Sequence, residues 1–201
     1  MSSVHIDPRI ATGADAEGVS RTISAALCGD PIWSWAFPDP QRRPAQLDAW
    51  WRLFVDGALR YPWVWTTPAH EATAVWIPPG GTELSAAQEA RVEPLLAELV
   101  GEGSASVLGA LERFETAHPR DQPHYYLSLL GTHPDHRGRG LGMGLVAANL
   151  VRIDAEHMPA YLESSNPAND SRYESVGFVR RGQFSVSEGG PVVTTMWRAA
   201  R

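Results

Sequence analysis

Apolar residues recur along this chain in two rhythms. Over residues 15–27, Val19, Ile23, Ala26 and Leu27 fall at helical intervals. Residues 45–60 repeat that spacing with Leu47, Trp50, Trp51, Phe54, Val55 and Leu59, and Pro62 helps to end the helix. Shorter runs read as strands: PRIAT (8–12), WVWTT (63–67) and ATAVWI (72–77), the last two joined as a hairpin across 68–71. GDPIWSWAFPDP (29–40) carries three prolines and reads as a loop or broken helix.

After the break PPGG (78–81), residues 85–118 predict two helices split near Gly101-Glu102-Gly103. HYYLSLLGT (124–132) predicts a strand, 141–158 a helix, AYLES (160–164) a strand and 170–176 a short helix. Gly177 stands where a left-handed helix stop belongs. FVRRGQF (178–184) and VVTTMWR (192–198) predict a closing hairpin. The order βα(α)ββ(αα)βαβαββ is that of a mixed α/β sheet with helices on its faces. Its 201 residues suit one domain, 1–201, with a helical insertion at about 85–118.

Composition narrows the classes. No 18-residue apolar run occurs, so no membrane span is expected. The first residues lack a basic stretch followed by an apolar block, and the chain has one cysteine, Cys28. A reducing cytoplasm and a buried Cys28 are expected. The net charge of −6 argues against a nucleic-acid partner and is compatible with a cationic substrate. No His, Cys or Asp cluster has metal-ligand spacing, so no metal is expected. Seven of the eight tryptophans lie in the first 76 residues. Trp50, Trp51 and Trp76 read as core, whereas Trp33 and Trp35, in the Pro-rich loop, read as equally able to line a pocket.

The chemistry concentrates in HPDHRGRGLGMGL (133–145), between a strand and a helix. A helix start exposes unpaired N–H groups, and glycine lets an anion approach them. Arg137 and Arg139 add charged donors, which makes the segment a pyrophosphate cradle. A P-loop would need Lys-Ser or Lys-Thr, which is missing. A loose dinucleotide fingerprint, G-x-G-x-x-A, fits from Gly142 to Ala147 with Glu163 as ribose acceptor, but it starts ten residues beyond the strand. R-x-x-G-x-G fits in place, from Arg137 to Gly142.

LLGTHPDHRGRGLG resembles the acetyl-CoA motif of the GNAT N-acetyltransferase superfamily, and PAYLESSNPANDSRYESVGF resembles that family's second motif. Within the family, PDHRGRGLG, AYLESS and YESVGF are most similar to puromycin N-acetyltransferase and its actinobacterial relatives. The resemblance implies a mixed sheet splayed between the two motif strands, with acetyl-CoA as co-substrate and no metal. It implies Leu130, Gly131 and Thr132 along the pantetheine arm, with a backbone N–H near Leu130 polarising the thioester. It implies pyrophosphate on the N–H groups of Arg137, Gly138, Arg139, Gly140, Leu141 and Gly142. Gly144 lies past the motif and reads as packing of the helix on the sheet.

Tyr173 matches the family's general acid, and Asn169 would bond the pantetheine amide or cap the helix. Glu163 and Asp30 are the candidate bases, and Asp30 replaces a tyrosine of the puromycin group. His124, His133 and His136 flank the cofactor motif and read as surface or turn residues. The expected reaction is direct transfer of acetyl to the primary amine of a small molecule, an antibiotic or secondary metabolite among them, by a monomer or homodimer. An acyl-CoA sensor without turnover and an NAD-type oxidoreductase remain alternatives.

Overall fold

The computed structural model describes residues 6–201, which are organised by one seven-stranded sheet. Its strands are β1 Arg9–Ile10, β2 Val64–Thr66, β3 Ala72–Ile77, β4 Tyr125–Thr132, β5 Ala160–Ser164, β6 Val179–Ser185 and β7 Val192–Arg198. The helices are α1 Ala16–Leu27, α2 Pro31–Ala36, α3 Arg43–Ala58, α4 Ala86–Glu89, α5 Val92–Val100, α6 Ser104–Ala117, α7 Leu141–Ala155 and α8 Asp170–Glu174. The strands lie in the order β1-β2-β3-β4-β5-β7-β6. Only β4 and β5 are parallel neighbours. A parallel pair needs a long crossover, and α7 supplies it.

Each face of the sheet has its own core. On one face α1, α2, α3 and the insertion bury Val19, Ile23, Trp50, Leu96 and Val107 against Val75 and Ile77. On the other, α7 buries Leu145, Val146, Leu150 and Ile153 against Ala74, Trp76, Leu127 and Leu162. The period-2 alternation of β3 serves both, since Ala74 and Trp76 face α7 while Val75 and Ile77 face α1 and α3. Trp76 is fully buried, and its Nε1 donates to Asn149 Oδ1 at 3.0 Å, which satisfies the buried indole.

The periodic elements agree with the sequence within a few residues, and four local expectations change. The first strand is only Arg9–Ile10, followed by one further bond from Ala11 N–H to Val64 O at 2.8 Å. The segment 29–40 contains a formed helix, α2, because Asp30 caps it and Pro31 at the first position already has a helical φ. The insertion holds three helices, since α4 is a separate turn capped by Ser85, while the split at Gly101 (φ 57°) stands as expected. Cys28 is half-buried rather than buried. Among the described residues no helix is long and apolar enough to cross a membrane.

Candidate functional site

The centre of the molecule is a parting of two strands. β4 and β5 pair from Tyr125↔Ala160 to Leu127↔Leu162 and no further. Beyond Leu127, β4 stays on β3, with Leu129↔Val75 and onward to Thr132↔Ala72. The register slips there, so Ser128 is an extra residue with no partner on β3. Such a bulge bends a strand and reverses its faces. Leu127 faces α7, yet Leu129, two residues on, packs on the α1 side. From Leu129 to Thr132 one edge of β4 is therefore satisfied by β3, and the other has no strand beside it.

The glycine–arginine turn lies at the end of that free edge. Gly138 and Gly140 have φ of 76° and 73°, a region costly for any residue with a Cβ. The first intrahelical bond of α7 runs from Gly144 N–H to Gly140 O at 2.8 Å, so the N–H groups of Leu141, Gly142 and Met143 have no partner within the helix. A side chain on Gly138 would meet nothing within 4 Å, consistent with an open cradle. Gly142 differs, because its Cβ would lie 2.6 Å from Thr132 Oγ1. It is thus the close contact between α7 and the sheet, a role the sequence assigned to Gly144. Gly144 instead abuts Ile6, whose Cδ1 would lie 2.9 Å from an added Cβ. Arg137 Nη2 donates to Ala26 O at 2.8 Å and ties the turn to the end of α1. Arg139 Nη1 lies 2.9 Å from His136 Nδ1, and both arginines are exposed.

Two cavities meet at the parting. The inner one, about 140 Å³, is walled by the bulged segment of β4, the end of β5, and residues of α2, α3 and α8. It brings together Asp30, Trp33, Leu130, Glu163, Asn169 and Tyr173 from the sequence-predicted set. It adds Trp51 and Phe54, of which Trp51 had read as core alone. Trp35 is not part of it. Two helical positions from Trp33 is about 200° of turn, so Trp35 points elsewhere and packs on the helical core. Gly131, Thr132 and the turn at 137–142 lie outside this cavity, farther along the same edge. Gly131 has a packing reason of its own, since a Cβ there would meet Ile23 Cδ1 at 3.0 Å and Ala26 Cβ at 3.1 Å.

Asp30 is buried and fully engaged. Its Oδ1 accepts from Ile32 N–H at 3.0 Å and Trp33 N–H at 3.5 Å, and its Oδ2 from Ser165 Oγ at 2.7 Å. Burial raises its pKa. Tyr173 is half-buried on α8, and among the described residues its hydroxyl has no hydrogen-bond partner. Burial, helped by the charges of Asp30 and Asp170, pushes the Tyr173 phenol up to about 12, so it stays protonated. Asn169 precedes α8 without capping it through its side chain, and its Oδ1 accepts from Arg172 Nη1 at 3.1 Å. Asn166 caps the 3-10 turn Pro167–Asn169 that leads into α8, accepting from Ala168 N–H at 3.1 Å.

The outer cavity, about 1230 Å³, opens toward the insertion. Phe54, Glu83, Leu111, Phe114, Tyr126 and Glu163 line both cavities and form a common wall. Glu89, Glu93 and Glu112 give the outer cavity an acidic rim, on which Glu115 is paired with Arg120. At the wall, Glu163 has a side chain only 3% exposed and accepts from Tyr126 Oη at 2.7 Å and from Tyr161 Oη at 2.9 Å. His118 Nδ1 lies 3.7 Å away, and His118 Nε2 is 3.2 Å from His124 Nε2. Burial lowers the pKa of His124. Glu83 was not singled out by the sequence. Its Oε1 accepts from Ser128 Oγ, the bulge residue. Burial, reinforced by the charge of Glu163, pushes the Glu83 carboxyl up to about 7. Its one sequence signal is a carboxylate just past the PPGG break, which without the bulge has no visible link to β4. Among the described residues no group of His, Cys, Asp and Glu could hold a metal ion.

Residues 116–185, which hold both motif strands, match the family model described as FR47-like protein. An acetyltransferase from Corynebacterium glutamicum, described as histone acetyltransferase HPA2 and related acetyltransferase, superposes with a TM-score of 0.70 at 22% identity. That match covers 98% of this chain and 97% of the other. The Drosophila melanogaster polyamine N-acetyltransferase, which forms N-acetylagmatine, matches with a TM-score of 0.66 at 17% identity over 97% of this chain and 100% of its own. A chain of the NatC complex bound to Gag peptide and CoA matches with a TM-score of 0.54 at 14% identity, covering 98% and 99%. The sheet that parts between its two parallel strands is the GNAT acetyltransferase fold.

Proposed function

We propose that this chain is an acetyl-CoA-dependent N-acetyltransferase that acts on a small cationic amine by direct attack. The observation that carries the reading is the parting of β4 from β5 in front of an open helix start, with Tyr173 lining the gap. The residues suit the acetyl donor. The free edge of β4 at Leu130, Gly131 and Thr132 would pair with the pantetheine arm, and Asn169 would bond its amide. The N–H groups of residues 137–142, with Arg137 and Arg139, would hold the pyrophosphate. Acetyl-CoA supplies an activated acyl group whose leaving thiolate needs a proton. Tyr173, kept neutral by burial, donates it.

The acceptor class follows from the two cavities. The acidic rim attracts a cation, the negative charge of the common wall orients it, and Trp33, Trp51 and Phe54 enclose an apolar or flat body. Antibiotic or other secondary-metabolite amines belong to this class. The FR47-like match over both motifs supports the reading, as does the likeness to amine acetyltransferases.

The test is release of CoA thiol with acetyl-CoA and a panel of agmatine, spermidine, tryptamine and puromycin. All 17 basic residues are arginines, so the chain has no lysine side chain to give a self-acetylation background. Tyr173→Phe is expected to lower kcat by about 10²–10⁴ while leaving acetyl-CoA affinity within about twofold. Absence of acetyl-CoA binding by calorimetry defeats the reading at its first step.

A further inference from the structure

We propose that Glu83 is the proton acceptor for the incoming amine and that Glu163, held by two tyrosine hydroxyls, is its neighbour and not the acceptor. The inference rests on the acetyl-transfer reading of the same site. Three carboxylates line the inner cavity, and their hydrogen bonds divide them. Both oxygens of Asp30 accept, from backbone N–H groups on one side and Ser165 on the other. Both oxygens of Glu163 accept from tyrosine hydroxyls. Every oxygen of these two carboxylates therefore already holds a donor. Glu83 accepts on Oε1 alone, and among the described residues Oε2 has no partner.

Glu83 is also held in place. Thr82 N–H donates to Tyr61 Oη at 3.1 Å, and Arg60 Nη2 donates to Thr82 O at 2.7 Å. Gly57 of α3 lies so close that a Cβ there would sit 2.2 Å from Glu83 O. The loop after β3 is thus clamped to the end of α3, and the bulge at Ser128 orients the carboxylate. The charged and titratable groups acting on Glu83 are Glu163 from β5, Tyr126 from β4, Glu115 from α6, and His118 at its end. Burial and Glu163 hold the Glu83 carboxyl near 7, a value matched to accepting a proton at neutral pH.

The proton ledger closes. One N–H bond of the ammonium breaks and its proton passes to Glu83 Oε2. The freed lone pair forms the C–N bond at the thioester carbonyl. The C–S bond breaks, its electron pair stays on sulfur, and Tyr173 Oη protonates that sulfur. The nitrogen gives its next proton to the Tyr173 oxygen, and Glu83 returns the first to water in the outer cavity. The net result is amide, thiol and one released proton.

The test is the pH dependence of kcat/KM with acetyl-CoA and the fastest amine of the panel. Below about pH 7 the wild-type rate is expected to fall tenfold per pH unit, because a protonated Glu83 cannot accept. Glu83→Gln should lower kcat/KM about 100-fold at pH 7.5 and abolish that limb, with acetyl-CoA affinity unchanged. It should melt no lower than wild type at pH 8, since it replaces a desolvated carboxylate. Ser128→Ala removes a donor to the ionised form and should move the limb to higher pH. A Glu83→Gln enzyme within threefold of wild type, or with the limb intact, overturns the assignment alone, as does a Ser128→Ala limb that stays put. A wild-type protein that binds acetyl-CoA and acetylates no amine overturns the acetyl-transfer reading itself.

Discussion

The two halves of β4 are one strand with opposite fates. From Tyr125 to Leu127 it has strands on both edges and α7 against its apolar side chains. From Leu129 to Thr132 it has β3 on one edge only, and its faces are exchanged. A single extra residue, Ser128, separates them. The first half acts as core, and its worth is hydrophobic burial. In the second half the backbone is what remains available, since its side chains pack as in any strand. The same residue that opens the gap also orients a carboxylate into it, so scaffold and chemistry share one position.

Deleting Ser128 attacks that difference most directly. It removes the bend between the two halves and the donor to Glu83, while Leu127 keeps facing α7 and Leu129 stays opposite Val75 on the α1 side. The expected outcome is a fall in kcat/KM of about 10²–10⁴-fold with a cooperative melting transition retained, read by thiol release and thermal melting. Next comes Leu127→Ala, which should cost about 2–5 kcal/mol in urea unfolding. Leu130→Ala, in a half-buried position beyond the bulge, should cost clearly less, and neither should change acetyl-CoA affinity by more than about twofold.

The glycines sharpen the comparison further. Gly142→Ala should destabilise by about 1–3 kcal/mol through Thr132 Oγ1, and Thr132→Ala should recover part of that loss in a double-mutant cycle. Gly144→Ala meets only the flexible end of Ile6 and should be neutral or gain up to about 1 kcal/mol. The smallest effects belong to Arg137→Ala and Arg139→Ala. Each should weaken acetyl-CoA binding by a few-fold at low salt and less at high salt, because screening already reduces exposed contacts in the parent. Losses equal at all ionic strengths would assign the arginines to packing, for which the Arg137 bond to Ala26 is the ready explanation.

Periodicity made most of this fold legible. Segments such as 45–60 and 160–164 bury one side consistently, and that leaves a trace in the order of residues. The motif at 133–145 was legible because left-handed glycines and a helix start need particular residue types. The bulge was not legible, since Ser128 fits the run of β4 without interruption. Glu83 was hidden for the same reason, because its partner lies 45 positions away and its loop has no period. Trp33 and Trp35 could not be told apart in the sequence, because the helix that Asp30 and Pro31 start sends aromatics two positions apart in different directions, and only Trp33 reaches the inner cavity. The exchanged roles of Gly142 and Gly144 depended on one turn of helix rotation, finer than spacing resolves.

The wall shared by the two cavities has a consequence for traffic. A chamber reached from two sides lets one reactant dock without the other having departed. Initial-rate plots against either reactant should then be families of intersecting lines, the pattern of a ternary complex. On the acetyl-transfer reading proposed above, the thiol product would withdraw along the free edge of β4 while the acetylated amine leaves through the acidic rim, where losing its positive charge has already loosened its hold.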